Sequence, residues 1–297
     1  MRGRGLRDQG DIHVTVNKMA VVGCGVMGTG IIQVAAQTGI EVVGVETSEA
    51  GAQRARDRVN AGLDGTLKRG KITEEVAAKA RELFTITTDL GDVAGADIVV
   101  EAVYEDVELK NDILGRIDKL VGPNTFIASN TSTIPLVVLA AATTRPERVV
   151  GLHFFNPVPA MKLVEVIKTP VTSEDDVAAM VELAQRMGKS PVVVNDVPGF
   201  IGNLLITPFF NDAIRAFESG VAPMESIDDV MTLGFNHPMG PFRLADLVGL
   251  DIVHAQGVSI YNETKDPKYF PPKMLTQYVR LGWLGRKTGR GFYRYDS

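Results

Sequence analysis

His153 and Glu165 are ionisable residues set inside two otherwise apolar runs, "GLHFF" and "LVEVI". They stand six residues on either side of Pro159, in the turn-prone segment "NPVPA". A chain folding back about that turn as an antiparallel pair sets the imidazole across the ladder from the carboxylate. The glutamate then has the partner that a buried carboxylate requires. A carboxylate bonded to one ring nitrogen fixes the tautomer and leaves the other nitrogen to take a proton. That arrangement suits a base that removes an alcohol proton while hydride leaves the same carbon. Taken singly, His153 reads as a core histidine and Glu165 as the partner of some unrelated cation. Their symmetric placement joins them. Serine-nucleophile chemistry is less apt, because the sequence contains no G-x-S-x-G elbow.

Hydride needs an acceptor, and "MAVVGCGVMGTGI" offers a place for one. Gly23, Gly25 and Gly28 follow an apolar strand and open a helix, in the G-x-G-x-x-G spacing. Such glycines permit a tight turn, close backbone approach to a pyrophosphate and close packing of helix on sheet. The helix N-terminus adds N–H donors and a positive dipole end. "EVVGVE" ends in Glu46, placed to accept hydrogen bonds from the adenosine ribose. No Arg or Lys follows in "ETSEA", which favours NAD over NADP. Cys24, inside the turn, reads as a small residue packed at the strand end rather than a redox switch.

The elements that must carry these residues follow from pattern. From Met19 to about Val194, short β-rich runs alternate with helical patterns, which implies a mostly parallel sheet covered on both faces. A long polar helical region covers about 48 to 82, and the basic cluster Lys68 to Lys71, which ends a long helical segment within it, reads as a solvated charged turn, the alternative being a seat for a phosphate group. From Phe200 onward only amphipathic helical patterns remain. The expected fold is therefore α/β: a Rossmann-type dinucleotide-binding domain followed by a smaller all-α C-terminal domain. The expected boundaries are 1–16 for a flexible N-terminal extension, 17–196 for the NAD-binding domain and 197–297 for the helical domain.

Bulk properties exclude several classes. The 297 residues are 45% hydrophobic and 23% charged, with net charge −5, so no basic face for nucleic acid is expected. No apolar run is long enough to span a bilayer, and the N-terminus lacks the core of a signal peptide. A single cysteine precludes an intrachain disulfide and fits a reducing cytoplasm. No metal is expected.

"GCGVMGTGI", "EAVYEDVELK", "ASNTSTIP", "GLHFFNPVPAMKLVEVI", "DVPGFIGN", "HPMGPFRLADLVGLD" and "KTGRGFY" together resemble the L-3-hydroxyacyl-CoA dehydrogenase family, in order from about 18 to 295. The likeness is greatest to its short bacterial members acting on 3-hydroxybutyryl-CoA. The resemblance implies an acyl-CoA substrate, NAD, and a homodimer through the helical domain. It makes His153 the base and Glu165 the acid that orients it. Ser132 and Asn203 become contacts to the substrate's 3-oxygen, while Glu105, Lys110 and Asn130 border the nicotinamide. Without it, Ser132 reads as a helix cap and Asn203 as an ordinary polar residue. The chain departs from the family at Gly202 and Leu204, where a bulkier apolar residue and an Arg are common. Dehydrogenation of a free 3-hydroxy acid and NAD binding without catalysis are the alternative readings.

Overall fold

Among the described residues eight strands form one sheet: β1 (Lys18–Val22), β2 (Glu41–Val45), β3 (Phe84–Thr87), β4 (Ile98–Glu101), β5 (Phe126–Ser129), β6 (Val149–Phe154), β7 (Leu163–Lys168) and β8 (Ser190–Asn195). Their spatial order is β3-β2-β1-β4-β5-β6-β7-β8, and every neighbouring pair is parallel except β6 and β7. Strands β4, β5 and β6 are buried at every residue, as expected for the middle of a sheet covered on both faces. The computed structural model describes residues 15–295. Of the expected extension, residues 1–14 lie outside the described residues. Val16 is buried in the core, and its carbonyl accepts from Arg186 Nη1 at 2.7 Å.

Eleven α-helices accompany the strands among the described residues. Six belong with the sheet: α1 (Val26–Gln37), α2 (Glu49–Lys68), α3 (Glu74–Leu83), α4 (Val107–Leu120), α5 (Leu136–Ala140) and α6 (Glu174–Arg186). Met19, Val21, Ile98 and Val100 from β1 and β4 share a core with Ile31, Ile32 and Ala35 of α1. Winding reverses between β1 and β4. The carboxyl ends of those strands therefore form the switch point where such sheets bind ligands.

The long helical region expected over 48 to 82 is two helices. Gly70, at φ +66°, takes the left-handed conformation after α2, and its N–H donates to the Leu67 carbonyl at 2.8 Å. Thr73 then caps α3 by accepting from the Val76 N–H. The break puts Lys68, Arg69 and Lys71 on an exposed turn.

The chain divides into two compact units, one running to Thr131 and resuming over Leu136–Asp196, the other made of Ser132–Pro135 and the chain from Val197. The second holds α7 (Gly202–Glu218), α8 (Met224–Asp229), α9 (Pro241–Val248), α10 (Leu250–Thr264) and α11 (Lys273–Arg280), with two isolated β-bridges near its end. Phe210, Ile214, Phe242, Leu250 and Leu275 centre its core. Its last described segment is fastened by Asp246, which accepts from the N–H groups of Phe292 and Tyr293 and from the Tyr295 hydroxyl, each at 2.9 Å. Burial pushes the Asp246 carboxyl above its ordinary pKa despite those donors.

Gly70→Ala should destabilise the first unit by about 1–2 kcal/mol, because the left-handed turn penalises a Cβ. Urea denaturation of the two proteins measures the difference.

Candidate active site

Strands β6 and β7 pair with His153 directly opposite Glu165. The imidazole Nδ1 lies 2.7 Å from Glu165 Oε2, with Glu165 wholly buried and His153 only 6% exposed. The fold-back expected about Pro159 is therefore present. A carboxylate at that distance accepts a hydrogen bond from Nδ1–H, which fixes the tautomer and makes Nε2 the nitrogen that would exchange a proton. The Phe155 ring stands 4.7 Å from the imidazole centroid and limits its tilt. Asn130 Oδ1 accepts from the Phe154 N–H at 2.9 Å, tying the residue after His153 to the end of β5.

A second buried carboxylate closes β4. Glu101 is fully buried, and Lys110, on α4, is 1% exposed. Lys110 Nζ donates to Glu101 Oε1 at 2.7 Å and to the Val103 carbonyl at 3.3 Å, and it reaches Glu105 Oε2 at 3.3 Å. Glu101 also accepts from the Val103 N–H at 2.7 Å and from Ser129 Oγ at 2.6 Å. Glu105 in turn accepts from Thr131 Oγ1 at 2.7 Å. Each buried charge is thus paired and hydrogen-bonded, as the low dielectric demands. Sequence reasoning singled out Glu105 and Lys110 but missed Glu101, Ser129 and Thr131. The available signal was the acid ending "DIVVE", the same anomaly that marks Glu165.

The glycine turn follows β1 and opens α1. Gly23 has φ +93°, and a Cβ there would stand 2.8 Å from the Ala102 carbonyl, so the turn presses on the end of β4. At Gly28 a Cβ would stand 1.9 Å from the Gly23 carbonyl oxygen, which makes that contact possible only for glycine. Among the described residues, its chain neighbours and its own helix aside, no atom lies within 4 Å of a Cβ built on Gly25, so its backbone can be approached closely. Gly25 caps α1 without a side-chain bond, and the first turn holds no acid. These residues fit a dinucleotide pyrophosphate. Glu46, ending the run after β2, accepts from the N–H groups of Cys24 at 3.1 Å and Thr47 at 3.0 Å. Its carboxylate therefore faces the turn, where a ribose would be held. Cys24 is buried under it, and burial, reinforced by the Glu46 charge, pushes the thiol up to about 12.

Ser132 and Asn203 belong to the second unit. Asn203 Nδ2 donates to the Ser132 carbonyl at 3.0 Å, which explains why Ser132–Pro135 groups with the helices. Gly199, at φ +80°, admits the Ile260 side chain and turns the chain into α7. Gly202 is the first residue of α7, and Leu204 is partly buried one residue beyond Asn203.

Among known proteins, the family model described as the 3-hydroxyacyl-CoA dehydrogenase NAD binding domain matches residues 18–197. The model of that family's C-terminal domain matches residues 199–295. A 3-hydroxybutyryl-CoA dehydrogenase of Mycobacterium tuberculosis is 44% identical over 282 residues, covering 94% of this chain and 99% of its own. The human mitochondrial hydroxyacyl-coenzyme A dehydrogenase is 41% identical over 95% of this chain and 92% of its own. The crystal structure of an (S)-3-hydroxybutyryl-CoA dehydrogenase from Ralstonia eutropha superposes with TM-score 0.92 at 43% identity, covering 95% of this chain and all of the other.

Cys24 provides a check on the packing of the turn. In the folded protein at mildly alkaline pH the thiol stays neutral and should resist a thiolate-directed reagent. One thiol per chain should react after unfolding in guanidinium. Rapid labelling of native protein would contradict the geometry.

Proposed function

The chain belongs to the 3-hydroxyacyl-CoA dehydrogenase family, and we propose that its own reaction is the interconversion of (S)-3-hydroxybutyryl-CoA and acetoacetyl-CoA. It is an NAD-dependent oxidoreductase of 3-hydroxyacyl-CoA. The short-chain substrate rests on the names of the bacterial relatives. The observation that carries the mechanism is the 2.7 Å bond between His153 Nδ1 and Glu165 Oε2, in the sheet that also bears the glycine turn.

NAD, when bound, supplies the hydride acceptor, and Gly23, Gly25, Gly28 and Glu46 would hold it. His153 Nε2 takes the proton of the 3-hydroxyl as the carbon is oxidised, and returns it to the 3-oxygen in reduction. Glu165 keeps Nδ1 protonated and balances the positive charge that His153 gains. The proposed role of Ser132 and Asn203 is to donate to the 3-oxygen as charge develops there. Glu105, Lys110 and Asn130 are proposed to border the nicotinamide; with Lys110 almost wholly buried, its part is to hold Glu101 and Glu105. A homodimer through the helical unit is proposed from its exposed apolar residues, among them Leu205, Val221, Leu233 and Phe235. A cytoplasmic enzyme of fatty-acid metabolism completes the proposal. No helix among the described residues is long and apolar enough to cross a membrane.

Acetoacetyl-CoA should drive NADH oxidation, with NADPH a poorer donor because Glu46 repels a 2′-phosphate. His153→Gln should lower kcat by at least about a hundredfold while NADH binding persists. Near-parental turnover in that variant would overturn the role of His153. Silence of the parent with every CoA ester, in protein that still binds NADH, would point to a free 3-hydroxy acid instead.

A further inference from the structure

Lys189 is a buried cation that the reaction does not use. It follows α6 and the left-handed Gly188, one residue before β8, and is 9% exposed. Its Nζ donates to the carbonyls of Val158 and Met161, the latter at 2.9 Å. Among the described residues no carboxylate pairs with it. Burial holds its ammonium below the ordinary lysine pKa. An apolar side chain would fill the same space without that desolvation cost, so the backbone acceptors are what the ammonium serves.

Those acceptors lie in the connection between β6 and β7, five residues past His153 and four before Glu165. The N–H groups of Ala160 and Met161 both donate to the Pro157 carbonyl at 3.0 Å, which makes the connection a tight turn. The Ser190 N–H adds a bond to the Lys162 carbonyl at 2.7 Å. On its other side, Val158 packs against α1, where a Cβ on Gly30 would stand 2.8 Å from the Val158 Cβ. The connection is thus held between the helix that opens at the glycine turn and the turn that carries Lys189.

Support from the sheet ends before this point. The β5–β6 ladder stops at Ser129 opposite Gly151, so His153 lies beyond it. The β7–β8 ladder begins at Leu163 opposite Ser190. The end of the hairpin overhangs its neighbours, and among the described residues side chains tie it at Asn130 on the β5 side and at Lys189 on the β8 side, beside the main-chain bond from Ser190 to the Lys162 carbonyl.

We propose that Lys189 is a positioning residue for the proton transfer: by bonding the carbonyls of Val158 and Met161 it seats the hairpin connection against α1 and fixes where the His153 imidazole stands relative to the glycine turn. The inference rests on the reaction proposed above, in which His153 is the base. The ladder alone sets imidazole against carboxylate. Lys189 sets that pair against the cofactor helix.

Lys189→Met keeps the length of the side chain and removes its donors. Relative to the parent, kcat for acetoacetyl-CoA reduction should fall about tenfold to a hundredfold, the loss expected from a displacement near 1 Å. The dissociation constant for NADH should stay within about twofold, since the glycine turn is untouched. The primary isotope effect with deuterated NADH should rise, because a misplaced base slows the chemical step. Amides of residues 158–161 should exchange faster with solvent. A kcat within twofold of the parent, or unchanged exchange in those amides, would overturn the proposal even if the melting temperature fell. Should Lys189→Met fail to fold, Gly30→Ala presses on Val158 from the opposite side. It should lower kcat with NADH affinity retained, and parental kcat in it would overturn the proposal equally. A parent silent with acetoacetyl-CoA contradicts the proposed reaction, and amide exchange alone then decides whether Lys189 anchors the connection.

Discussion

A carboxylate with no solvent exposure must find compensation within bonding distance, and β7 running against β6 brings Glu165 the His153 imidazole directly across the ladder. Had the chain crossed over to make β7 parallel, His153 and Glu165 could not have met as directly opposed residues of adjacent strands. The single antiparallel step in an otherwise parallel sheet is thus the structural counterpart of one hydrogen bond. Several local features follow from it. Gly151 leaves room for Ile167 to cross it, since a Cβ there would stand 2.7 Å from the Ile167 Cβ. Gly30 admits Val158, and Lys189 collects the carbonyls of the turn.

The same physics operates at the switch point. Glu101 ends β4 beside Gly23, and its charge is compensated from α4 by Lys110 and from β5 by Ser129. Such a pair adds little net stability, because desolvation consumes most of the Coulombic gain. Its consequence is geometric: it locks the loop after β4 to α4 and, through Thr131 and Glu105, to the end of β5. Both buried acids therefore rigidify the carboxyl ends of the central strands, where the glycine turn and the histidine stand.

What was legible in the sequence had local or mirrored signals. The glycine turn could be read because its spacing, the strand before it and the helix after it are contiguous. The His153–Glu165 pair could be read because a hairpin places its partners symmetrically about a turn. Glu101 carried the same anomaly, but its lysine sits on the following helix at a spacing with no mirror rule. The bond between Asn203 and Ser132 spans 71 residues and leaves no local trace, so the grouping of Ser132–Pro135 with the helices was not foreseen. The basic cluster Lys68 to Lys71 could be read as a solvated turn from its composition, and the left-handed Gly70 is what ends α2 there.

The central claim is that His153 and Glu165 act as one unit, and a double-mutant cycle on kcat tests it most directly. The rates needed are those of the parent, His153→Gln, Glu165→Gln and the double variant, with acetoacetyl-CoA and NADH. If Glu165 works only through the imidazole, the double variant is no slower than His153→Gln alone. Losses that multiply, with the double variant slower by the product of the two single effects, would show that Glu165 acts independently and would contradict the account.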